Sequence, residues 1–314
     1  MTRPGVLVIG PYPPGDIELL EAHYDVHRYW LADDKPALLR AAGDHIRAIA
    51  TRGDLAVPGD LIAVLPKLEM IGIYGVGTDG VDLAACRARG ITVSNTPDIL
   101  TGETADIALA LMLAWARQIP KGDAYVRSGA WAEHGNMPLA TRLHGKRLGI
   151  VGLGRIGKAV AKRAAAFDMR IAYFGRATQL DQPYPFFSTL TDLAANSDFL
   201  VATIAGGAAT AKLITDAVLQ ALGPKGVFVN VARGSVVDEA ALLHALEAKT
   251  IAGAALDVYL NEPKIDPRFY ALDNTVLMPH VGSATVETRR AMGQLMRDNI
   301  AAHFAGLALL TPVG

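Results

Sequence analysis

The stretch Leu148-Gly-Ile-Val151-Gly152-Leu-Gly154-Arg155-Ile156-Gly157 decides the fold. An apolar run gives way to three spaced glycines, and residues 158–167 then continue in a helical pattern. Between a strand and a helix, each glycine has a task. Gly152 permits a tight turn, Gly154 lets backbone N–H groups approach a pyrophosphate, and Gly157 lets the helix pack on the strand. The N-terminus of such a helix also carries partial positive charge that attracts an anion. Three turn glycines without a ligand are the plain alternative, but the strand-then-helix context favours a dinucleotide-binding β-α-β unit.

Downstream, short apolar runs recur at Ile171-Ala-Tyr-Phe174, Phe199-Leu-Val201, Val227-Phe-Val229, Ala254-Ala-Leu256 and Val276-Leu-Met278. Upstream lie Val6-Leu-Val-Ile9, Ile46-Arg-Ala-Ile49, Met70-Ile-Gly-Ile73 and Ile91-Thr-Val93. Helical patterns separate them, so both halves read as α/β units with buried parallel strands. The Pro-punctuated stretch 92–98 marks a domain crossing. After Ser283, Met292, Leu295, Met296, Ile300 and Phe304 recur at helical spacing and predict a core-facing helix.

At 314 residues the chain is long enough for two domains. Hydrophobic residues at 51% and charged residues at 19% supply apolar surface for real cores and argue against disorder. Lys+Arg 30 against Asp+Glu 31 leaves a net charge of -1, so no basic field exists to hold nucleic acid or an anionic membrane, and neither is expected as a partner. The single cysteine, Cys86, can form no intramolecular disulfide and no cysteine metal cluster, and reads as a small buried hydrophobe. Pro4, Pro13 and Asp16 interrupt the short N-terminal apolar run, which argues against a secretory signal and for a cytoplasmic protein. The most apolar stretch, 107–116, falls short of the roughly 20 residues needed to span a bilayer and reads as a buried helix.

A site for NAD carries an acidic residue roughly 20 residues past the glycines, at the end of the second strand, to hold the ribose 2′-OH. Here that strand ends Tyr173-Phe-Gly175-Arg176. No carboxylate repels a 2′-phosphate, Arg176 can pair with one, and the hydroxyl of Thr178 can add a hydrogen bond. The expected cofactor is NADPH/NADP, with NADH the weaker alternative. The competing reading of Arg176 is a solvated loop arginine.

Three later segments carry a family resemblance: Asn230-Val231-Ala-Arg233-Gly-Ser-Val-Val-Asp238, Leu256-Asp257-Val-Tyr-Leu-Asn-Glu262-Pro263 and Met278-Pro-His280-Val-Gly282-Ser283-Ala-Thr285. With the glycine fingerprint they resemble the D-isomer-specific 2-hydroxyacid dehydrogenases over nearly the whole chain. The likeness is greatest to the NADPH-dependent glyoxylate/hydroxypyruvate and hydroxyphenylpyruvate reductase branch. The resemblance implies two doubly wound parallel-sheet domains, a Rossmann nucleotide domain (98–282) inserted in a flavodoxin-like substrate domain (1–97 and 283–314). It implies a cleft between them, with hinges near Asn95-Thr96-Pro97 and Val281-Gly282, and a homodimer joined through the nucleotide domains. The helix from Ile107 matches a dimer-forming segment, an intradomain core helix being the alternative.

Site residues transfer by the same resemblance. Arg233 matches the arginine that holds the substrate carboxylate and carbonyl oxygen, His280 the general acid, and Glu262 the carboxylate that orients the histidine and favours its imidazolium form. Singly, each also has a structural reading: a surface ion pair, a satisfied core histidine and a turn residue. Cofactor contacts transfer onto Gly152, Gly154, Arg155, Ile156, Gly157, Gly175, Arg176, Thr178, Ile204, Val231, Arg233, Asp257, His280 and Gly282, with Asp257 expected near the nicotinamide amide. The loop Gly75-Val76-Gly77 resembles one whose N–H groups, here Val76 and Gly77, grip the substrate carboxylate. Arg52 stands at a neighbouring strand end, where it either reaches that carboxylate or is a solvated arginine. Met137 occupies a position where some relatives have tryptophan, in a segment that lines the partner subunit's pocket, and implies a roomier site. One departure is Ala205-Gly206-Gly207, where relatives commonly have Pro-Leu; the contacts of that loop are left open.

The expected activity is reduction of small 2-oxo acids, namely glyoxylate, hydroxypyruvate and also phenylpyruvates, to D-2-hydroxy acids. No metal is expected. A formate dehydrogenase of this fold would pair its histidine with Gln rather than Glu262. The alternative from another class is a dinucleotide-sensing corepressor without metabolic turnover, against which the expectation rests on a chain ending at Pro312-Val-Gly314 without extensions.

Overall fold

The computed structural model describes residues 3–13 and 15–314. Two compact units form, Met1–Leu100 with Thr285–Gly314 and Thr101–Ala284. The divisions thus follow Leu100 and Ala284, rather than residues 97 and 282.

The first unit is built on β1 (Gly5–Val8), β2 (Asp25–Arg28), β3 (Ile46–Arg52), β4 (Met70–Tyr74) and β5 (Thr92–Ser94). They pair in parallel in the order β2-β1-β3-β4-β5, the flavodoxin-like winding. β1 and β4 are wholly buried, which is why they read as unbroken apolar runs. Asp-Val-His-Arg in β2 lies at the sheet edge and is half-exposed, so sequence pattern gave no sign of it.

Alternation along β4 separates the layers. Ile71 and Ile73 face a core with Ile62, Leu65 and Cys86, the last buried as expected. Gly72 faces the other way, where Ile300 and Met296 of the helix Val286–Phe304 lie 3.5 Å from where its Cβ would stand. This helix therefore belongs to the first unit, although the chain reaches it only after completing the second. Arg297 anchors it through an ion pair with Asp16, their side chains only 14% and 9% exposed. Burial pushes the Asp16 carboxyl above its usual range, and the Arg297 guanidinium opposes that.

The second unit is a seven-stranded parallel sheet. Its strands are β6 (Arg147–Val151), β7 (Arg170–Phe174), β8 (Phe186–Phe187), β9 (Phe199–Ala202), β10 (Val227–Asn230), β11 (Gly253–Leu256) and β12 (Thr275–Leu277). The order β12-β11-β10-β9-β6-β7-β8 is that of a Rossmann sheet with one added strand. Winding reverses between β6 and β9, which opens a crevice at their carboxyl ends. β8, at two residues, was too short to read from sequence.

Two cores cover this sheet, one around Leu200, Phe228 and Leu256, the other around Ile150, Val201 and Val229. The apolar stretch 107–116 lies in the helix Thr101–Ala116, which buries Ala108, Leu109, Leu111 and Met112 in the second core. Trp115 Nε1 donates to the Asn274 carbonyl at 2.9 Å, tying this helix to the turn before β12. Among the described residues no helix is long and apolar enough to cross a membrane.

Removing one partner of a buried ion pair strands the other, a loss of about 3–5 kcal/mol. Arg297→Ala should therefore lower the urea midpoint of the first unit markedly, and Asp16→Asn in the same chain should recover part of the loss. An unchanged midpoint in the single variant would contradict the anchoring role.

Candidate active site

Gly152 follows β6 with φ +96°, and a Cβ there would stand 2.9 Å from Ile204 Cα, so only glycine fits the turn. A Cβ on Gly157 would fall 2.3 Å from the Gly152 carbonyl oxygen. At Gly154 the opposite holds: a Cβ would meet no atom within 4 Å among the described residues, so the backbone there presents an open face. Gly154 is also the N-cap of the helix Arg155–Ala165 and brings no side-chain cap to its first N–H groups. An accessible backbone at an uncapped helix start suits a pyrophosphate. Arg155 is exposed and Ile156 half-buried beside it.

The loop after β7 leaves Gly175 half-buried and Arg176 and Thr178 exposed, with no carboxylate among residues 174–178. Sequence reasoning missed Gln179. Its N–H donates to the Tyr173 hydroxyl at 2.7 Å, and its Nε2 donates to the Leu153 carbonyl at 2.8 Å, joining the Arg176 loop to the glycine loop. A lone glutamine in a polar loop carries no pattern that would reveal this. Across the crevice, Thr203 Oγ1 donates to the Gly152 carbonyl at 2.7 Å and sets Ile204 under the turn. The departure at Ala205–Gly207 is tied back by Thr210, whose hydroxyl donates to the Ala205 carbonyl at 2.7 Å.

Arg233, Glu262 and His280 follow β10, β11 and β12, three neighbouring parallel strands, so all three emerge at one edge of the sheet. Asn230, 1% exposed, shapes the first of these loops: its Oδ1 accepts from Ala232 N and its Nδ2 donates to the Arg233 carbonyl, both at 3.0 Å. Val231 is buried, and Arg233 is half-exposed with Nη1 donating to the Ala232 carbonyl at 2.8 Å. The next loop crosses at Gly234, where a Cβ would stand 1.9 Å from the Tyr259 carbonyl carbon. Glu239 accepts from Leu260 N at 2.9 Å and steadies that loop. Neither Asn230 nor Glu239 was singled out from sequence.

Glu262 Oε1 accepts from Tyr259 N at 2.7 Å, and its Oε2 lies 2.5 Å from His280 Nδ1. A carboxylate only accepts, so Nδ1–H donates and Nε2 is the nitrogen left for other partners. The two side chains are 33% and 25% exposed for His280 and Glu262, sheltered yet accessible. His280 itself is held at φ +54°, a left-handed conformation that costs a non-glycine residue about 1–2 kcal/mol. Asp257 offsets that cost. Its Oδ1 accepts from Val281 N and its Oδ2 from Gly282 N, each at 2.8 Å, while its carbonyl accepts from His280 N at 2.8 Å. Burial raises the Asp257 carboxyl above its ordinary range, and those two N–H groups oppose the rise. Expected beside the nicotinamide amide, Asp257 is thus first of all the clamp on the histidine turn.

In the first unit, β3 and β4 pair as neighbours and carry Arg52 and the loop Gly75-Val76-Gly77. Arg52 is engaged by Asp54 through both Nε (2.9 Å) and Nη2 (2.5 Å), and Nη1 donates to the Pro11 carbonyl at 3.3 Å. Arg52 is thus paired with Asp54 while its side chain stays 34% exposed, and any ligand carboxylate must share it with Asp54. Gly75, with φ +148°, donates its N–H to Thr96 Oγ1 at 3.0 Å, and the Val76 carbonyl accepts from Asn95 Nδ2 at 2.9 Å. Met137 lies in a largely exposed segment of the second unit, with Sδ 3.8 Å from where a Cβ on Gly122 would stand.

The tightest constraint here is the Gly234 crossing. Gly234→Ala forces the Arg233 and Glu262 loops apart, and overpacking of this kind costs about 1–3 kcal/mol. A lower unfolding midpoint is expected together with loss of activity, and an alanine variant matching the parent in both would refute the crossing.

Residues 109–282 match the family model described as D-isomer specific 2-hydroxyacid dehydrogenase, NAD binding domain. Hydroxyphenylpyruvate reductase of Plectranthus scutellarioides is 44% identical over 309 residues, covering 98% of each chain. The 2-ketogluconate reductase of Gluconobacter oxydans is 45% identical over 312 residues, covering 99% of each. Among solved structures, the NADPH-dependent glyoxylate/hydroxypyruvate reductase of Sinorhizobium meliloti in complex with NADP and malonate is 43% identical, covers 100% of this chain and 97% of its own, and superposes with a TM-score of 0.94. By sequence, sheet order and the loops just described, this chain belongs to the D-isomer specific 2-hydroxyacid dehydrogenase family.

Proposed function

We propose that this protein reduces small 2-oxo acids to D-2-hydroxy acids with NADPH, glyoxylate and hydroxypyruvate being the first substrates to test and larger acids such as phenylpyruvates the next. The observation that carries this reading is the His280 Nδ1–Glu262 contact of 2.5 Å at the sheet edge that also carries the Arg233 loop, in the unit that holds the glycine turn. Relatives named as reductases of hydroxyphenylpyruvate, 2-ketogluconate and glyoxylate/hydroxypyruvate support it, and favour turnover over a purely cofactor-sensing role.

The residues fit a dinucleotide. Gly154 offers the open backbone, Arg155 and Ile156 begin the helix beneath it, and Arg176 with Thr178 suits a 2′-phosphate. Gly175, Ile204, Val231, Asp257 and Gly282 are assigned to the same cofactor by the family pattern, Asp257 also keeping its clamp. When bound, NADPH supplies the hydride.

The chain's own residues do the rest. Arg233 holds the carboxylate and carbonyl oxygen of the substrate, drawing electron density away from C2. Glu262 fixes the His280 ring through Nδ1, which aims Nε2 outward. His280 delivers its proton from Nε2 to the carbonyl oxygen as C2 gains hydride, so the ketone becomes an alcohol with charge balanced. The N–H groups of Val76 and Gly77 take the substrate carboxylate, while Arg52, shared with Asp54, has at most a secondary part. We assign the protein to the cytoplasm on its single, buried, free Cys86. The homodimer fits exposed Ile119, Val126, Trp131 and Leu139 on and beside the Met137 segment, and the contribution of Met137 to a roomier pocket is part of the same reading.

Steady-state oxidation of NADPH and NADH with a panel of 2-oxo acids tests the proposal. His280→Ala should bind NADPH normally yet lose about 10²–10⁴-fold in kcat. Full turnover in that variant would overturn the assignment. Arg176→Ala should lose about tenfold or more of its NADPH over NADH preference, since a charge-assisted bond to phosphate is worth about 1.5–3 kcal/mol. An unchanged preference would remove Arg176 from the cofactor site.

A further inference from the structure

The C-terminal residues 311–313 run against β5 in the first unit. Ser94 and Pro312 form an antiparallel bridge, and Val313 N donates to the Val93 carbonyl at 2.8 Å. Thr311 is the centre of this contact. Its N–H donates to Asn299 Oδ1 at 3.1 Å, and its hydroxyl accepts from Asn299 Nδ2 at 2.9 Å. The same hydroxyl donates to the Asn95 carbonyl at 2.6 Å, and Asn95 N donates back to the Thr311 carbonyl at 3.3 Å.

Asn299 is fully buried on the helix Val286–Phe304, and its Nδ2 also donates to the Leu295 carbonyl at 2.8 Å, so its amide plane is fixed from two sides. From Asn95 the chain of bonds continues. Asn95 Nδ2 donates to the Val76 carbonyl at 2.9 Å. Its neighbour Thr96, fully buried, accepts Gly75 N on its hydroxyl at 3.0 Å and donates its own N–H to the Gly75 carbonyl at 2.8 Å. The stretch Asn95-Thr96 thus holds the 75–77 loop by both of its first two carbonyls and by the Gly75 N–H, and Thr311 holds Asn95.

We infer that Thr311 and Asn299 are positioning residues for substrate, setting the 75–77 loop through the relay Asn299–Thr311–Asn95–Val76. The inference rests on the proposed carboxylate-binding role of that loop. The Thr311 hydroxyl both accepts and donates, so its two bonds polarise and strengthen each other. Pinning the Val76 carbonyl fixes the plane of the peptide that carries the Gly77 N–H, because carbonyl and N–H share one rigid unit. The relay consequently acts on the loop assigned to the substrate carboxylate, and so on substrate affinity. Its sequence logic is invisible locally, since Thr311 lies 216 residues from Asn95.

Thr311→Val keeps the shape and removes the hydroxyl relay, and Thr311→Ser restores it. For the valine variant, KM for the best 2-oxo acid should rise about five- to tenfold, as expected for loss of one or two hydrogen bonds. Its kcat and its affinity for NADPH should stay within twofold of the parent, roughly the scatter of substitutions away from a site. Serine should return KM to the parent value. Hydrogen exchange at the 75–79 amides should quicken in the valine variant and recover in serine. A valine variant with parental KM, or one losing kcat and cofactor affinity to the same degree, overturns the positioning role. If the parent protein turns over no 2-oxo acid at all, the functional reading itself falls and takes this role with it. Turnover with unchanged KM in the valine variant removes only the relay.

Discussion

Both oxygens of the Asp257 carboxylate accept backbone N–H groups from the two residues that follow His280, while the Asp257 carbonyl accepts the N–H of His280 itself. Three bonds from one residue hold a histidine whose left-handed backbone would otherwise relax. The Glu262 contact to Nδ1 depends on this turn staying in place, since a side-chain hydrogen bond of 2.5 Å tolerates little displacement. Burial makes the clamp costly to ionise and therefore sensitive to its two donors.

The loops around that clamp are coupled through the sheet. Parallel strands in the order β12-β11-β10 bring the His280, Glu262 and Arg233 loops to one edge, and Gly234 lets two of them touch without a side chain between. Asn230 and Glu239 complete the frame by satisfying backbone groups within and between the loops. The other side of the crevice uses a different device. There the backbone of the glycine turn is left accessible at Gly154, and Gln179 and Thr203 fix its surroundings. A tightly hydrogen-bonded edge and a glycine turn with open backbone thus share one sheet.

The first unit solves another problem, that of a fold interrupted by an insertion. The helix Val286–Phe304 returns to cover β4 after the whole second unit has been made, and the Arg297–Asp16 pair together with the Asn299–Thr311 contacts lock it there. Contacts this distant in sequence carry a loop-closure cost, which buried polar bonds and apolar packing must outweigh. Met296 and Ile300 against Gly72 supply the apolar part.

Much of this was legible in the residues. The buried strands announced themselves as apolar runs because parallel strands covered on both faces admit little else, and the spaced glycines declared the turn because no side chain fits at Gly152 or Gly157. Arg233, Glu262 and His280 were singled out by the family resemblance of three segments, and the structure brings their loops to one edge of the sheet. Edge strands such as Asp-Val-His-Arg escaped, since half-exposed residues carry no such pattern. The sequence by itself therefore determined the fold class and the glycine turn, each being a local demand of sterics, while the candidate side chains Arg233, Glu262 and His280 came from the family resemblance of the segments that carry them. Only the tertiary structure decided that Asp257 clamps the histidine turn, that Arg52 is committed to Asp54, and that Thr311 reaches Asn95. Those partners are chosen by hydrogen-bond geometry between separate loops, which no stretch of chain encodes alone.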